Sequence, residues 1–169
     1  YRAHLLAHLN STPLPKTDAR ALSYARDKAL LLILLYVPLR RTTLHLAQRS
    51  WYKNGVIQIP RDGIKTRADV GVPLPKVVTD ALDAYLSMRR DNEPSLFTTN
   101  DGSPMQKANL YLTLYRRTQK ILDIKQGLGI HTFRHILATT ASRKIGAEAT
   151  ANLLIISQKT LHECYDLAD

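Results

Sequence analysis

The chain has 169 residues, 44% of them hydrophobic, a single cysteine, and 24 Lys+Arg against 14 Asp+Glu for a net charge of +10. That length suits one domain with a sizeable core, and the lone Cys164 excludes an internal disulfide and a cysteine-rich zinc site, as expected of an intracellular, reducing compartment. The excess of cations points to a polyanionic partner, because charges that neutralise phosphates gain by counterion release.

Residues 2–9 read as a helix, and Asn10-Ser-Thr-Pro-Leu-Pro15 breaks it. Thr17 or Asp18 is placed to cap a longer helix running to about Val37. Its apolar run, Ala29 to Pro38, is too short to span a bilayer and reads as a buried core helix. No secretory signal opens the chain, and its start at Tyr1 instead of Met is expected of a fragment. After Pro38 a second helix is expected from Leu39 to about Arg49. Val56-Ile-Gln-Ile59 and Val70-Gly-Val-Pro-Leu74 are β-rich runs on either side of a polar, basic stretch, the pattern of a hairpin with an exposed turn.

Val77, Val78, Leu82, Tyr85 and Leu86 have helical spacing after Pro75, and Asn100-Asp-Gly-Ser-Pro104 is a turn. A helix is expected over Leu110–Ile124, carrying Arg116, Arg117 and Lys120 close together. Gly127 and Gly129 precede a helix that opens at His131 and ends at Gly146; another covers Ala147–Ile156. Thr160-Leu-His-Glu163 is a capping-box pattern, which places Tyr165 on a short last helix. The fold class is mostly α with a small antiparallel β-hairpin or sheet.

The last third carries the chemistry. In His131-Thr-Phe-Arg134 an imidazole and a guanidinium stand one helical turn apart on the same face. A guanidinium is a planar, permanent cation that suits phosphate oxygens, and a tyrosine such as Tyr165 is a nucleophile once its ionisation is assisted. With a reference pKa near 10, about a thousandth of a tyrosine is ionised at pH 7, a cost of about 4 kcal/mol that a base and a cationic site offset. Together these residues suggest phosphoryl transfer on nucleic acid. Each has a plainer alternative: an HxxR pair is often structural, and Tyr165 competes with seven other tyrosines.

Four segments, in order, resemble the tyrosine recombinase (phage integrase) family over nearly the whole chain. Ala25-Arg-Asp-Lys-Ala-Leu-Leu-Leu-Ile-Leu-Leu-Tyr-Val-Pro-Leu-Arg40 is similar to the block that ends in the family's first catalytic arginine, so the resemblance assigns that role to Arg40. Gly63-Ile-Lys-Thr-Arg-Ala-Asp-Val-Gly-Val-Pro-Leu74 resembles the family's hairpin, and counting back from its end puts Lys65 on the catalytic lysine, with Arg67 the alternative. His131 to His135 resembles the HxLRH box, which makes His131 the base or oxyanion partner and Arg134 the second arginine. Leu153 to Tyr165 matches the last motif without a gap, which makes Tyr165 the nucleophile.

Two positions depart from the pattern. Ile156 stands where the family usually has a His or Trp; it can pack but cannot hydrogen-bond a phosphate, and His162, one turn before Tyr165, is a candidate replacement. Thr43 stands where an acidic residue usually supports the first arginine. The resemblance implies the catalytic domain of a site-specific DNA recombinase or integrase of a mobile element, working through a 3′-phosphotyrosyl intermediate with no metal and no cofactor. Its partners would be double-stranded DNA and further copies of itself in a tetramer, with Arg67, Arg116, Arg117 and Lys120 as DNA contacts and no membrane. One catalytic domain is expected over 1–169, with 1–17 as a linker or N-terminal extension and the family's N-terminal core-binding domain absent; the location is intracellular and DNA-associated, the cytoplasm or nucleoid in a prokaryote. The alternatives are a catalytically degenerate DNA-binding protein on the same fold and a type IB topoisomerase-like enzyme.

Overall fold

The structure, a computed structural model, describes residues 1–37, 39–60 and 69–154. Helix α1 covers Arg2–Ser11 and buries Leu5 and Leu9, so the segment read as an N-terminal extension contributes to the core. Helix α2, Asp18–Tyr36, follows. Every side chain from Leu30 to Leu35 is at most 2% exposed. A helix apolar on all sides has to be covered on all sides, and α2 packs against α1, α4, α5 and α6. Thr17 does occupy the N-cap position, but its side chain makes no capping bond.

Helix α3 is shorter than its sequence suggests, Arg41–Leu46 in place of Leu39 to Arg49. The reason is long-range. The Leu96 N–H donates to the Ala47 carbonyl and the Arg49 N–H to the Pro94 carbonyl, both at 2.8 Å, and Gln48 bridges Ser95 in antiparallel fashion. Backbone groups committed sideways cannot continue a helix. A single 3-10 turn, Arg49–Trp51, then leads into the sheet.

The expected hairpin is present as β2 (Val56–Ile59) and β3 (Val70–Pro73), paired from Val56↔Pro73 to Ile59↔Val70. A third strand, β1 (Tyr52–Lys53), precedes it, giving the order β1-β2-β3. The turn between β1 and β2 is Asn54-Gly55 with φ of 50° and 76°, the pair of positive values that matches the twist of adjoining strands.

Helix α4, Lys76–Met88, lays Val78, Ala81, Leu82 and Tyr85 into the core against α2. Helix α5, Lys107–Leu122, begins three residues before the expected Leu110 because Asn109 caps it: the Gln106 N–H donates to Asn109 Oδ1 at 3.1 Å. The chain then turns back tightly. A Cβ on Gly127 would lie 1.9 Å from the Tyr115 carbonyl oxygen, so only glycine fits this approach, and the Leu128 N–H donates to Thr118 Oγ1 at 2.6 Å. Helix α6, Ile130–Leu154, contains the expected break: Gly146 sits at φ 80°, ψ 168°, a kink inside an otherwise continuous helix. The fold is mostly helical with one small antiparallel sheet, as the sequence suggests.

Candidate active site

Arg40 sits at the N-cap of α3, half-buried, with its own carbonyl accepting the Leu44 N–H at 2.9 Å. The buried Leu39 and Leu44 on either side fix the chain direction there. Thr43, where an acid is usual, is buried at 2% exposure.

His131 and Arg134 lie in the first turn and a half of α6, which Ile130 and Phe133 anchor by inserting into the core. This splits the pair: His131 is exposed, whereas Arg134 is 5% exposed. Arg134 Nη2 donates to the Leu154 carbonyl at 2.6 Å, joining the start of α6 to its end across the Gly146 kink. A guanidinium at a helix C-terminus also meets the negative end of the helix dipole. Packing of α2 on α6 brings together the elements that lead to Arg40 and carry Arg134. Lys65, Arg67, Ile156, His162 and Tyr165 lie outside the described residues.

The basic residues of α5 are not equivalent. Arg116 and Lys120 are exposed. Arg117 Nε donates to Asp27 Oδ2 at 2.5 Å, and Arg26 donates to Asp27 Oδ1 at 2.8 Å, to the Thr98 carbonyl at 3.2 Å and to Asn100 Oδ1 at 3.1 Å. Asp27 therefore ties α2 to α5 while Arg26 ties α2 to the turn after Phe97. The supporting role of Asp27 is set by the fold, and its one signal in the sequence is the charged pair Arg26-Asp27 entering the longest apolar run.

Two tyrosines are spoken for structurally. The Tyr52 hydroxyl donates to Asp83 Oδ1 at 2.8 Å, and burial together with that carboxylate pushes its pKa up to about 12, the opposite of what a nucleophile needs. Tyr85 is fully buried, stacked on Phe97, and its hydroxyl accepts the Thr98 N–H at 3.0 Å. Among the described residues no group of three or more His, Cys, Asp or Glu is placed to hold a metal, and no helix is long and apolar enough to cross a membrane.

The description "Phage integrase family" belongs to the family model that matches residues 5–149. No curated protein matches the chain. Among solved structures, XerA recombinase superposes with a TM-score of 0.72 at 21% identity, over 94% of this chain and 59% of that one. XerH site-specific recombinase bound to its difH substrate gives 0.73 at 20% identity, over 95% and 47%. The Tn1549 transposon integrase in complex with transposon right-end DNA gives 0.74 at 17% identity, over 99% and 60%. At these identities the likeness establishes the fold, and the chain spans about half to three fifths of those structures.

Proposed function

The chain belongs to the phage integrase family, and from that premise we propose that it is the catalytic domain of a site-specific DNA recombinase that breaks and rejoins strands through Tyr165. The observation that carries this reading is Arg134. It is a buried guanidinium one turn from an exposed imidazole, at the start of a helix anchored in the core, and the sequence after that helix runs without a gap into the motif ending in Tyr165.

The chemistry follows from the residues. The Tyr165 oxygen attacks the scissile phosphorus, and the bond to the 5′-oxygen breaks. Lys65, or Arg67 in the alternative register, gives that oxygen its proton, leaving a free 5′-hydroxyl and a 3′-phosphotyrosyl ester. Arg40 and Arg134 face the charge that grows on the non-bridging oxygens, a role best served by preorganised cations away from water. His131 assists the removal or sharing of the tyrosine proton. Attack by a partner strand's 5′-hydroxyl reverses the step, so one phosphodiester is exchanged for another without a metal or an external energy source. Pairing two sites calls for several copies on duplex DNA, a tetramer in this reading, with Arg67, Arg116 and Lys120 on the backbone. Arg117 serves there only if its contact with Asp27 leaves part of its fork for a phosphate.

The test is cleavage of a nicked duplex whose short 5′-hydroxyl fragment diffuses away and traps the protein on DNA. The parent chain accumulates an SDS-stable complex. Arg134→Lys keeps the charge but loses the fork, and its rate falls by about a hundredfold or more, the scale for loss of one preorganised donor. An unchanged rate removes Arg134 from the site, and DNA binding without any complex in the parent favours the degenerate binder.

A further inference from the structure

Helix α2 delivers the chain to Arg40, so the way α2 ends bears on where that guanidinium stands. The last four carbonyls of a helix have no partner within it. In α2 the Ile33 carbonyl is taken up by the C-cap, Val37, whose N–H donates to it at 2.6 Å. The Leu35 carbonyl instead accepts Arg2 Nε, at 3.4 Å, from thirty-three residues earlier in the chain. The same guanidinium lies over the Tyr36 ring, 4.9 Å from its centroid, within reach of a cation–π contact. No basic residue occupies the last turn of α2 itself, so a cation suited to the negative end of its dipole comes from α1. Leu5 and Leu9 fix α1 in the core and leave Arg2 half-buried at its first position.

We propose that Arg2 is a positioning residue for strand cleavage: by gripping the Leu35 carbonyl and the Tyr36 ring it fixes the exit of α2, and with it Arg40, four residues beyond Tyr36 (40 − 36). This rests on the reading of Arg40 as a catalytic arginine. Val37 and Leu39 are buried between the grip and Arg40, and close-packed side chains transmit a displacement instead of absorbing it. In this role Arg2 touches no phosphate; it sets where a preorganised cation stands, and a misplacement of about 1 Å is enough to slow chemistry by up to about a hundredfold. A second tie between the same two helices supplies the control. The Tyr24 hydroxyl donates to the carbonyl of Thr12, the C-cap of α1, at 3.2 Å, at a point about 18 Å along α2 from Tyr36.

The experiment follows single-turnover cleavage of the nicked duplex at saturating DNA, with DNA affinity and the Arg40 NMR resonances of the DNA-free chain measured alongside. Arg2→Ala and Tyr36→Leu each slow cleavage by about tenfold and leave DNA affinity unchanged. The doubly substituted chain is no slower than either single variant, because the two side chains make one contact. Tyr36→Trp keeps an aromatic face for the guanidinium and retains the parent rate. Arg2→Ala also shifts the Arg40 resonances, whereas Tyr24→Phe, which cuts the other tie, changes neither those nor the rate. Equal slowing in Tyr24→Phe and Arg2→Ala overturns the proposal, since both then report only a loosened α1. A parent rate in Arg2→Ala overturns it too, as does a loss of DNA affinity in place of rate, which makes Arg2 a DNA contact. If the parent forms no adduct, it is the recombinase reading that fails. The Arg40 resonances then decide the grip: shifted in Arg2→Ala alone they support it, unmoved they overturn it.

Discussion

Helix α2 and the stretch of α6 beyond Gly146 both contribute buried side chains but are held by different means. In α2 a run of large aliphatic side chains is sealed from solvent, and its one buried carboxylate, Asp27, is bracketed by two arginines. Beyond the kink, Ala151 and Leu154, with Ala147 beside them, pack with Ala138 from before it in a cluster separate from the main core. Small side chains bury little apolar area and contribute correspondingly little. Among the described residues, the end of α6 is also tied to its start by Arg134, which donates to the Leu154 carbonyl. The guanidinium proposed to meet the phosphate is thus also the one that holds the chain eleven residues before Tyr165 (165 − 154). The comparison teaches that the body of this protein is held by a large hydrocarbon core, and the end of α6 by a small apolar cluster together with an arginine tie.

The largest effect expected is in the body. Leu32→Ala, at 0% exposure, opens a cavity where α2 meets its neighbours and costs about 3–5 kcal/mol. Chemical denaturation reads this as a shifted midpoint for the whole chain. A loss below about 1 kcal/mol would mean that α2 is not the centre of the core.

A smaller and local effect is expected at the kink. Gly146→Ala meets no atom within 4 Å, yet it must hold φ 80° and ψ 168°, a region reserved for glycine. The cost is about 1–3 kcal/mol. Hydrogen exchange should accelerate in residues 147–154 and leave α2 unchanged. Equal acceleration in both would show that the two regions unfold as one and would break the comparison.

The smallest effect concerns a polar tie on the body, Tyr52 to Asp83. Tyr52 has its pKa raised from 10.0 to about 12 in the folded chain. The unfolded chain then gives up this proton first, so the stability is fully present below pH 10 and is lost as pH rises from about 10 to about 12. Tyr52→Phe should flatten that part of the stability–pH curve without altering it near neutrality. An unchanged alkaline slope would assign the loss to other groups.

What the sequence made legible follows the range of the forces involved. Helices α2 and α4 and the β2–β3 pairing are written in local periodicity, and their bounds agree with it closely. The end of α3 is not, because it is set by backbone bonds to residues 94–96, which no local pattern records. Strand β1 is two residues long and too short to show alternation, although Asn54-Gly55 was a hairpin signal. In the candidate site, His131 and Arg134 were visible as a pair one turn apart, but not that one would be exposed and the other buried, which depends on Ile130 and Phe133 finding the core. Arg117 read like its neighbour Arg116; only Asp27, ninety residues earlier, distinguishes them.

The central claim is that Tyr165 becomes joined to DNA, and the direct measurement is mass spectrometry of the trapped complex after proteolysis and nuclease digestion. The account predicts a nucleotide remnant on the peptide containing Tyr165, attached through a 3′-phosphate, and no remnant in Tyr165→Phe, which keeps the ring and still binds DNA. A remnant on any other residue, or an adduct that persists in Tyr165→Phe, would contradict it.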